Sequence, residues 1–156
     1  MKFLVVAVGH RMPAWVQAGF SEYAGRMPHW ARIELVALKP APRGGGTRRA
    51  LEAEGARILA ALPAGCFRIA LDERGSLLGT AELVRHVARW RGEGRDVAFV
   101  IGGADGLAGA VKKSADFLWA LTPLTLPHGL ARVLLAEQLY RAVSILQNHP
   151  YHRGEG

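Results

Sequence analysis

The residues best suited to chemistry lie in the last third of the chain. Two loops there, at residues 102–106 and 122–127, each follow an apolar run that is typical of a buried strand. Open α/β sheets hold their ligands in loops at the carboxyl ends of the strands. An unusually apolar helix follows, and then a tail that reads Asn-His-Pro-Tyr-His-Arg at residues 148–153. We therefore expect the functional site in this segment and a scaffold upstream of it.

The first loop reads Gly-Gly-Ala-Asp-Gly at residues 102–106. It is not the Gly-x-Gly-x-x-Gly fingerprint of dinucleotide-binding folds, because Ala104 stands where the second glycine is required. Glycines in this number still indicate a backbone that turns sharply or that another group approaches closely. The pattern fits a ligand-binding loop and a tight turn without a ligand equally well.

The second loop contains two threonines, two prolines and two leucines, and no charged residue. A stiff loop of this composition can hold a flat, weakly charged ligand through its backbone N–H and C=O groups. Adenine would be such a ligand. The composition suits this use without specifying it.

The segment at residues 129–147 is predicted to be a helix with apolar side chains around most of its circumference. Only a narrow polar line interrupts them, formed by Glu137, Arg141, Ser144 and Asn148. A helix this apolar is expected to be buried on most sides. Because the last helix of a small chain should lie at the surface, we predict that a second subunit covers it. Glu137 and Arg141 also fit an ordinary surface ion pair at i,i+4 spacing.

The tail combines stacking, proton-accepting and cationic side chains in His149, Tyr151, His152 and Arg153. Such a set suits stacking and hydrogen bonding to an RNA base. A metal site made of His128, His149 and His152 is not expected, because no carboxylate or cysteine is placed with them. The tail therefore favours a role in RNA recognition.

The charge balance points to the same class of partner. Twenty Lys and Arg against 13 Asp and Glu give a net charge of +7, with a pI near 10.3. A small basic domain attracts polyanions, of which nucleic acid is the first candidate. An Arg-rich, Ala- and Gly-rich composition can also result from genome bias alone.

Cysteine content and hydropathy indicate a cytoplasmic protein. Cys66 is the only cysteine, which excludes an intrachain disulfide and a cysteine-based zinc site. The apolar N-terminal run is too short for a signal peptide, and no stretch approaches the length of a membrane span. We expect no membrane association.

Strand-like and helix-like segments alternate along the chain, which predicts an α/β fold: a single domain at residues 1–156 with a mostly parallel sheet flanked by helices. Strands are predicted at residues 2–8, 33–38, 66–71, 97–101 and 117–121. Thr47 and Thr80 are expected to cap helices, and residues 72–75 are expected to form a turn. The cationic, glycine-rich segment at residues 39–49 is predicted to be a mobile loop, serving either as a phosphate contact or as a solvated linker.

Four ordered motifs in the last third resemble the RlmH (YbeA-type) family of SPOUT methyltransferases. They are Val-Ile-Gly-Gly at residues 100–103, Leu-Thr-Leu-Pro-His at 124–128, RVLLAEQLYRA at 132–142 and Asn-His-Pro-Tyr-His-Arg at 148–153. The pattern VAVGxxMPxWVQxGFxEY at residues 6–23 also fits. The resemblance covers essentially the whole chain.

The resemblance implies an enzyme that uses S-adenosyl-L-methionine to methylate N3 of a pseudouridine in large-subunit (23S) rRNA, on the ribosome and as a homodimer. It implies an α/β fold with a trefoil knot in the C-terminal half, which pattern reasoning alone would not propose. The residues that would contact the methyl donor are Leu71, Gly103, Thr122, Pro123, Leu124, Thr125, Leu126 and Pro127. Those that would face the target base are His128, Arg141, Tyr151, His152 and Arg153, with contributions from both subunits.

Two departures from the family pattern affect these expectations. Thr122-Pro123 replaces the small polar pair that is more usual at that point, which should stiffen the loop and leave its backbone contacts possible. The segment at residues 39–49 contains more glycine than expected.

Two other classes of protein fit parts of the pattern. A non-catalytic basic module could use the same loops to dock on RNA, but it would not bind S-adenosylmethionine. A nucleotide-dependent oxidoreductase on a doubly wound sheet is disfavoured by Ala104 and by the late position of the glycine loop.

Overall fold

Apolar runs rich in β-branched residues form the strands of the sheet, as the sequence predicts. The computed structural model describes residues 1–153. Its strands are β1 (Lys2–Val8), β2 (Arg32–Leu38), β3 (Phe67–Leu77), β4 (Val97–Ile101) and β5 (Phe117–Ala120). They form a five-stranded sheet in the order β2-β1-β4-β3-β5, and each neighbouring pair is parallel. The predicted α/β class with a parallel sheet is confirmed.

The described range of 1–153 contains five α-helices, of which the first four connect the strands and the fifth follows β5. They are α1 (Ala14–Gly25), α2 (Thr47–Ala61), α3 (Thr80–Glu93), α4 (Gly109–Ser114) and α5 (His128–Leu146), and short 3₁₀ turns occur at His29–Ala31 and Pro150–Arg153. Helices α1, α3 and α5 pack on one face of the sheet, and α2 and α4 pack on the other. None of the helices described is long and apolar enough to cross a membrane. The knot implied by the family resemblance remains a prediction.

The predicted turn at residues 72–75 is wrong. β3 continues through Leu77, and its register against β5 shifts between Leu71 and Ser76. Gly75 makes this possible, because a Cβ there would lie 2.6 Å from the Leu118 carbonyl oxygen. The irregular segment directs residues 72–74 towards the carboxyl edge of the sheet.

The predicted helix caps are also misplaced by one residue. Gly46 and Gly79 precede α2 and α3, neither helix has a side-chain cap, and Thr47 and Thr80 are the first helical residues. The Thr80 hydroxyl instead donates a 2.8 Å hydrogen bond to the Gln138 side-chain oxygen of α5. Thr80 therefore joins two helices rather than capping one.

Helix α5 owes its apolar character to its own chain. Leu135, Leu139, Ala142 and Val143 are each fully buried in the core shared with β1 and β4. The sheet, α1 and α3 together cover much of this helix, so its apolar character alone does not require a second subunit, and the predicted subunit interface stays a prediction. Leu130, 39% exposed, is the large apolar side chain of α5 that lies at the surface.

Replacing Leu139 with Ala should lower the free energy of unfolding by about 2–5 kcal/mol, because the substitution leaves a cavity in a fully buried site. Leu130→Ala on the same helix should cost about 1 kcal/mol or less. Urea denaturation of both variants measures the difference. Equal losses would contradict the assignment of Leu139 to the core.

Candidate active site

A cleft of about 540 Å³ opens where β3, β4 and β5 end. This volume is in the range of pockets that hold nucleotide-sized ligands. The sequence-predicted loops at residues 102–106 and 122–127 both border it. Its walls include Leu71, Asp72, Glu73, Arg74, Gly102, Gly103, Asp105, Lys112, Trp119, Thr122, Leu124, Leu126 and His128.

The structure brings together most of the residues predicted to contact the methyl donor. Leu71, Gly103, Thr122, Leu124 and Leu126 all line the cleft, although they come from the middle of β3 and from the loops after β4 and β5. The three others, Pro123, Thr125 and Pro127, lie in the same loop but do not line the cleft.

The glycine loop has the close backbone packing that its sequence predicts. A Cβ on Gly102 would lie 2.4 Å from the Gly106 carbonyl oxygen, so residue 102 has no room for a side chain. The Gly106 N–H donates to the Gly103 carbonyl at 3.1 Å, and Gly106 has a φ of 81°. The loop is therefore a tight turn and also a wall of the cleft, and ligand binding by it stays a prediction.

The β3 edge of the cleft carries charges that sequence reasoning missed. Asp72 pairs with Lys112 at 3.0 Å, and the Arg74 backbone N–H donates to the Asp72 carboxylate at 2.9 Å. The Arg74 N–H and then Lys112 lower the pKa of Asp72 below its ordinary value. The position of these residues directly after an apolar strand was the available signal, and the turn prediction obscured it.

Two buried ring nitrogens in the cleft walls have no hydrogen-bond partner among residues 1–153. They are Nε1 of Trp119, whose side chain is 3% exposed, and Nδ1 of His128. A buried N–H without an acceptor is costly. His128 was predicted as a site residue. Trp119 was not, because a tryptophan within an apolar strand usually indicates core.

Beside His128, helix α5 carries a second residue that sequence reasoning missed. Arg132 is 3% exposed, and its Nη2 donates to the Gly9 carbonyl oxygen at 3.0 Å. Burial lowers the pKa of this guanidinium below its ordinary value. Arg132 thus ties the start of α5 to the turn that follows β1.

The far end of α5 forms a separate polar cluster around Glu137. One carboxylate oxygen accepts from Arg141 Nε at 2.8 Å and from the Tyr151 hydroxyl at 3.1 Å, and the other accepts from Gln138 at 2.7 Å. Glu137 raises the pKa of the Arg141 guanidinium. The predicted surface ion pair is therefore the centre of a network that anchors the tail.

Tyr151 packs inside its own chain rather than projecting from it. Its ring is 7% exposed and lies 4.7 Å from the Tyr140 ring and 4.9 Å from the Arg141 guanidinium carbon. Burial, followed by contacts with Tyr23 and Glu137, raises the pKa of its hydroxyl above the ordinary value. The ring orders the tail in this conformation and does not present a free face for stacking.

The two predicted groups of base-facing residues are well separated within one chain. His128 begins α5 and lines the cleft, whereas Arg141 follows thirteen residues later along the same helix. At 1.5 Å per residue this is about 20 Å. Tyr151, His152 and Arg153 lie at the Arg141 end, and Arg153 is exposed. Within the described part of the chain, no His, Cys, Asp and Glu side chains gather in a group of three or more that could hold a metal ion.

Comparison with known proteins decides the family. A family model described as "Predicted SPOUT methyltransferase" matches residues 1–152. The chain belongs to this family. The SPOUT methyltransferase described here is 57% identical to a protein from Nitrosospira multiformis and 60% identical to one from Ralstonia pickettii, in each case over 98% of this chain and 99% of the relative. Both relatives are named ribosomal RNA large subunit methyltransferase H.

Solved structures support the fold of this SPOUT methyltransferase. A methylase family protein from Neisseria gonorrhoeae superposes with a TM-score of 0.56 at 15% identity, covering 89% of this chain and 81% of that one. A methyltransferase from Bordetella pertussis superposes with a TM-score of 0.54 at 19% identity, covering 90% and 95%. The family resemblance predicted from the sequence motifs is confirmed.

Replacing Gly102 with Ala should weaken S-adenosylmethionine binding by at least about tenfold, or 1.4 kcal/mol, because the added methyl group displaces the Gly106 carbonyl and distorts the cleft wall. Gly109→Ala is the matched control, since a Cβ on Gly109 meets no atom within 4 Å. Isothermal titration calorimetry measures both affinities. Wild-type affinity in a folded Gly102→Ala protein would show that this loop does not contribute to binding.

Proposed function

We propose that this SPOUT methyltransferase transfers a methyl group from S-adenosylmethionine to N3 of a pseudouridine in large-subunit rRNA. The observation that carries the proposal is the near-full-length identity to relatives named for large-subunit rRNA methylation. The cleft at the strand ends and the net charge of +7 fit a nucleotide-sized cofactor and a polyanionic substrate. The proposed substrate is the assembled ribosome, which implies a cytoplasmic location.

The cleft residues fit the methyl donor. S-adenosylmethionine supplies an electrophilic methyl group when it is bound. Leu71 and the loop at residues 122–127 would enclose its adenosine portion, and Gly103 would allow close approach to the backbone. Pro123, Thr125 and Pro127 would act by fixing the backbone of the loop.

The catalytic part of the proposal assigns His128, Arg141, Tyr151, His152 and Arg153 to the target base. N3 must lose its proton before it can attack the methyl carbon in line, so placement and stabilisation of the base anion are the main tasks. Arg153 is the exposed cation of this set, and a cation near the base favours the deprotonated form. A histidine of the set can accept the proton.

A homodimer is part of the proposal because of the distance along α5. Arg141, beside which the tail lies, is about 20 Å along α5 from His128 of the cleft, by the helix rise. A second copy that brings its tail to this cleft would complete the site. Large apolar side chains exposed near the cleft side of the molecule, Trp15, Leu124 and Leu130, offer a surface for such a contact.

Arg153→Ala should reduce methyl transfer to ribosomes by at least about tenfold, because it removes a charge that stabilises the base anion. S-adenosylmethionine affinity and thermal stability should change little, since Arg153 is exposed. Arg32→Ala is the control, because Arg32 is an exposed cation at the amino edge of the sheet. Transfer of labelled methyl groups provides the rate. Deletion of the tail from Tyr151 is a poorer test, because it also removes a buried ring.

Mixing the Gly102→Ala and Arg153→Ala variants, each expected to be impaired in methyl transfer, tests whether the tail of one subunit acts on the cleft of the other. Gly102→Ala impairs the cleft and Arg153→Ala impairs the tail, so a mixed dimer has one site with both parts intact only if the tail acts across the dimer. We expect part of the methyl-transfer activity to return after subunit exchange. No recovery, in a mixture that sedimentation shows to contain dimers, would place the tail over its own cleft. A monomeric wild type would refute the homodimer.

A further inference from the structure

The cationic segment at residues 39–49 is only partly the loop that the sequence predicts, because its last three residues form the first turn of α2. It contains four cations and no acid in the sequence. Its backbone is nevertheless bonded at several points: the Arg57 guanidinium donates to the Lys39 carbonyl at 2.7 Å, and the Gly46 N–H donates to the Arg43 carbonyl at 3.0 Å. The cations of this segment are therefore presented from a preorganised backbone.

One of the four cations, Arg43, is paired with two carboxylates. Its Nη1 lies 2.8 Å from the carboxylate of Glu54, which is 2% exposed and also accepts from the Ala41 N–H at 2.9 Å. Its Nη2 lies 2.9 Å from the carboxylate of Asp105. Glu54 raises the pKa of the Arg43 guanidinium. Because Asp105 lines the cleft, Arg43 fastens the cationic segment to the cofactor loop.

The other three cations, Lys39, Arg48 and Arg49, are exposed. Arg48 has a side chain that is 94% exposed, and its carboxylate neighbour Glu52 lies 3.4 Å away on the helix surface. An exposed pair of this kind contributes little and leaves the arginine available to another anion. The segment therefore carries a cationic surface beside the cleft.

The opposite edge of the cleft carries no net charge. Asp72 and Glu73 on β3 are balanced there by Arg74 and Lys112, and Lys112 pairs with Asp72. This edge therefore offers a phosphate backbone no net attraction, whereas the exposed cations of residues 39–49 attract it.

We propose that Lys39, Arg48 and Arg49 form the surface that binds the phosphate backbone beside the target nucleotide. Arg43 is a positioning residue that holds this surface against the cofactor loop. The inference rests on the proposed function, and it identifies the face of the protein that the RNA crosses. The chemistry is that of phosphate contacts, which supply affinity and register without reading sequence.

A matched pair of double variants tests the surface. Arg48→Ala/Arg49→Ala removes two charges at the start of α2, and Arg85→Ala/Arg89→Ala removes two from the exposed side of α3, on the other face of the sheet. Each pair includes an arginine with a glutamate four residues later, Arg48 with Glu52 and Arg89 with Glu93. The two proteins therefore have the same net charge and lose the same kind of surface ion pair.

The probe is a synthetic RNA hairpin that contains a pseudouridine, titrated at several salt concentrations. The α2 double variant should bind the hairpin at least about tenfold more weakly at low salt. A plot of log affinity against log salt concentration should also become less steep, its slope decreasing in magnitude by about 1–2. The α3 double variant should change affinity by about twofold or less. Arg48→Lys/Arg49→Lys should retain the wild-type slope, because it preserves the charge.

Equal losses in the two alanine doubles, or no loss in the α2 double, would overturn the proposal. Calorimetry with S-adenosylmethionine should give the wild-type affinity in every variant, which shows that the cleft is intact; weaker cofactor binding in the α2 double alone would also count against a surface role. These outcomes differ from a failure of the proposed function, in which the wild-type protein would transfer no methyl group to ribosomes.

Discussion

The burial of α5 against the sheet is the constraint on which the rest of the structure depends. Leu135 and Leu139 are buried in the core that they share with β1 and β4. Their burial fixes the positions of both ends of the nineteen-residue helix. The first end delivers His128 to the cleft, and the second delivers Arg141 to the tail. Because the helix is rigid, the separation of these two groups is a property of the fold.

Carboxylates that accept several hydrogen bonds organise the parts that the core does not reach. Glu137 accepts hydrogen bonds from Arg141, Tyr151 and Gln138. These bonds hold the 3₁₀ turn at Pro150–Arg153 against α5, where a segment of this kind would ordinarily fray. Glu54 does the same for residues 39–49 through Arg43 and the Ala41 N–H. Both carboxylates thus fix cationic segments that lie outside the sheet, one at each side of the domain.

Periodicity and apolar runs were sufficient to predict the strands, the parallel sheet and the two loops of the cleft, since these features depend on local sequence. The contribution of residues 72–74 could not be predicted, because it requires Gly75 to pack against the backbone of another strand. The roles of Trp119 and Arg132 depend on what faces them across the fold. The motifs of the tail indicated its importance, but not that Tyr151 would be buried.

The packing of Gly75 also divides the cleft wall into a fixed part and a variable part. Any side chain at this position would separate β3 from β5, since the Leu118 carbonyl and the Trp119 nitrogen lie 2.6 and 2.7 Å from where its Cβ would be. Glu73 and Arg74 shortly before it are exposed and have no such restriction, whereas Asp72 is held by Lys112. A mutational library aimed at altering the ligand preference of this enzyme should therefore randomise residues 73 and 74 and keep residues 72 and 75 constant, because the same irregular strand supplies both the scaffold and its adjustable surface.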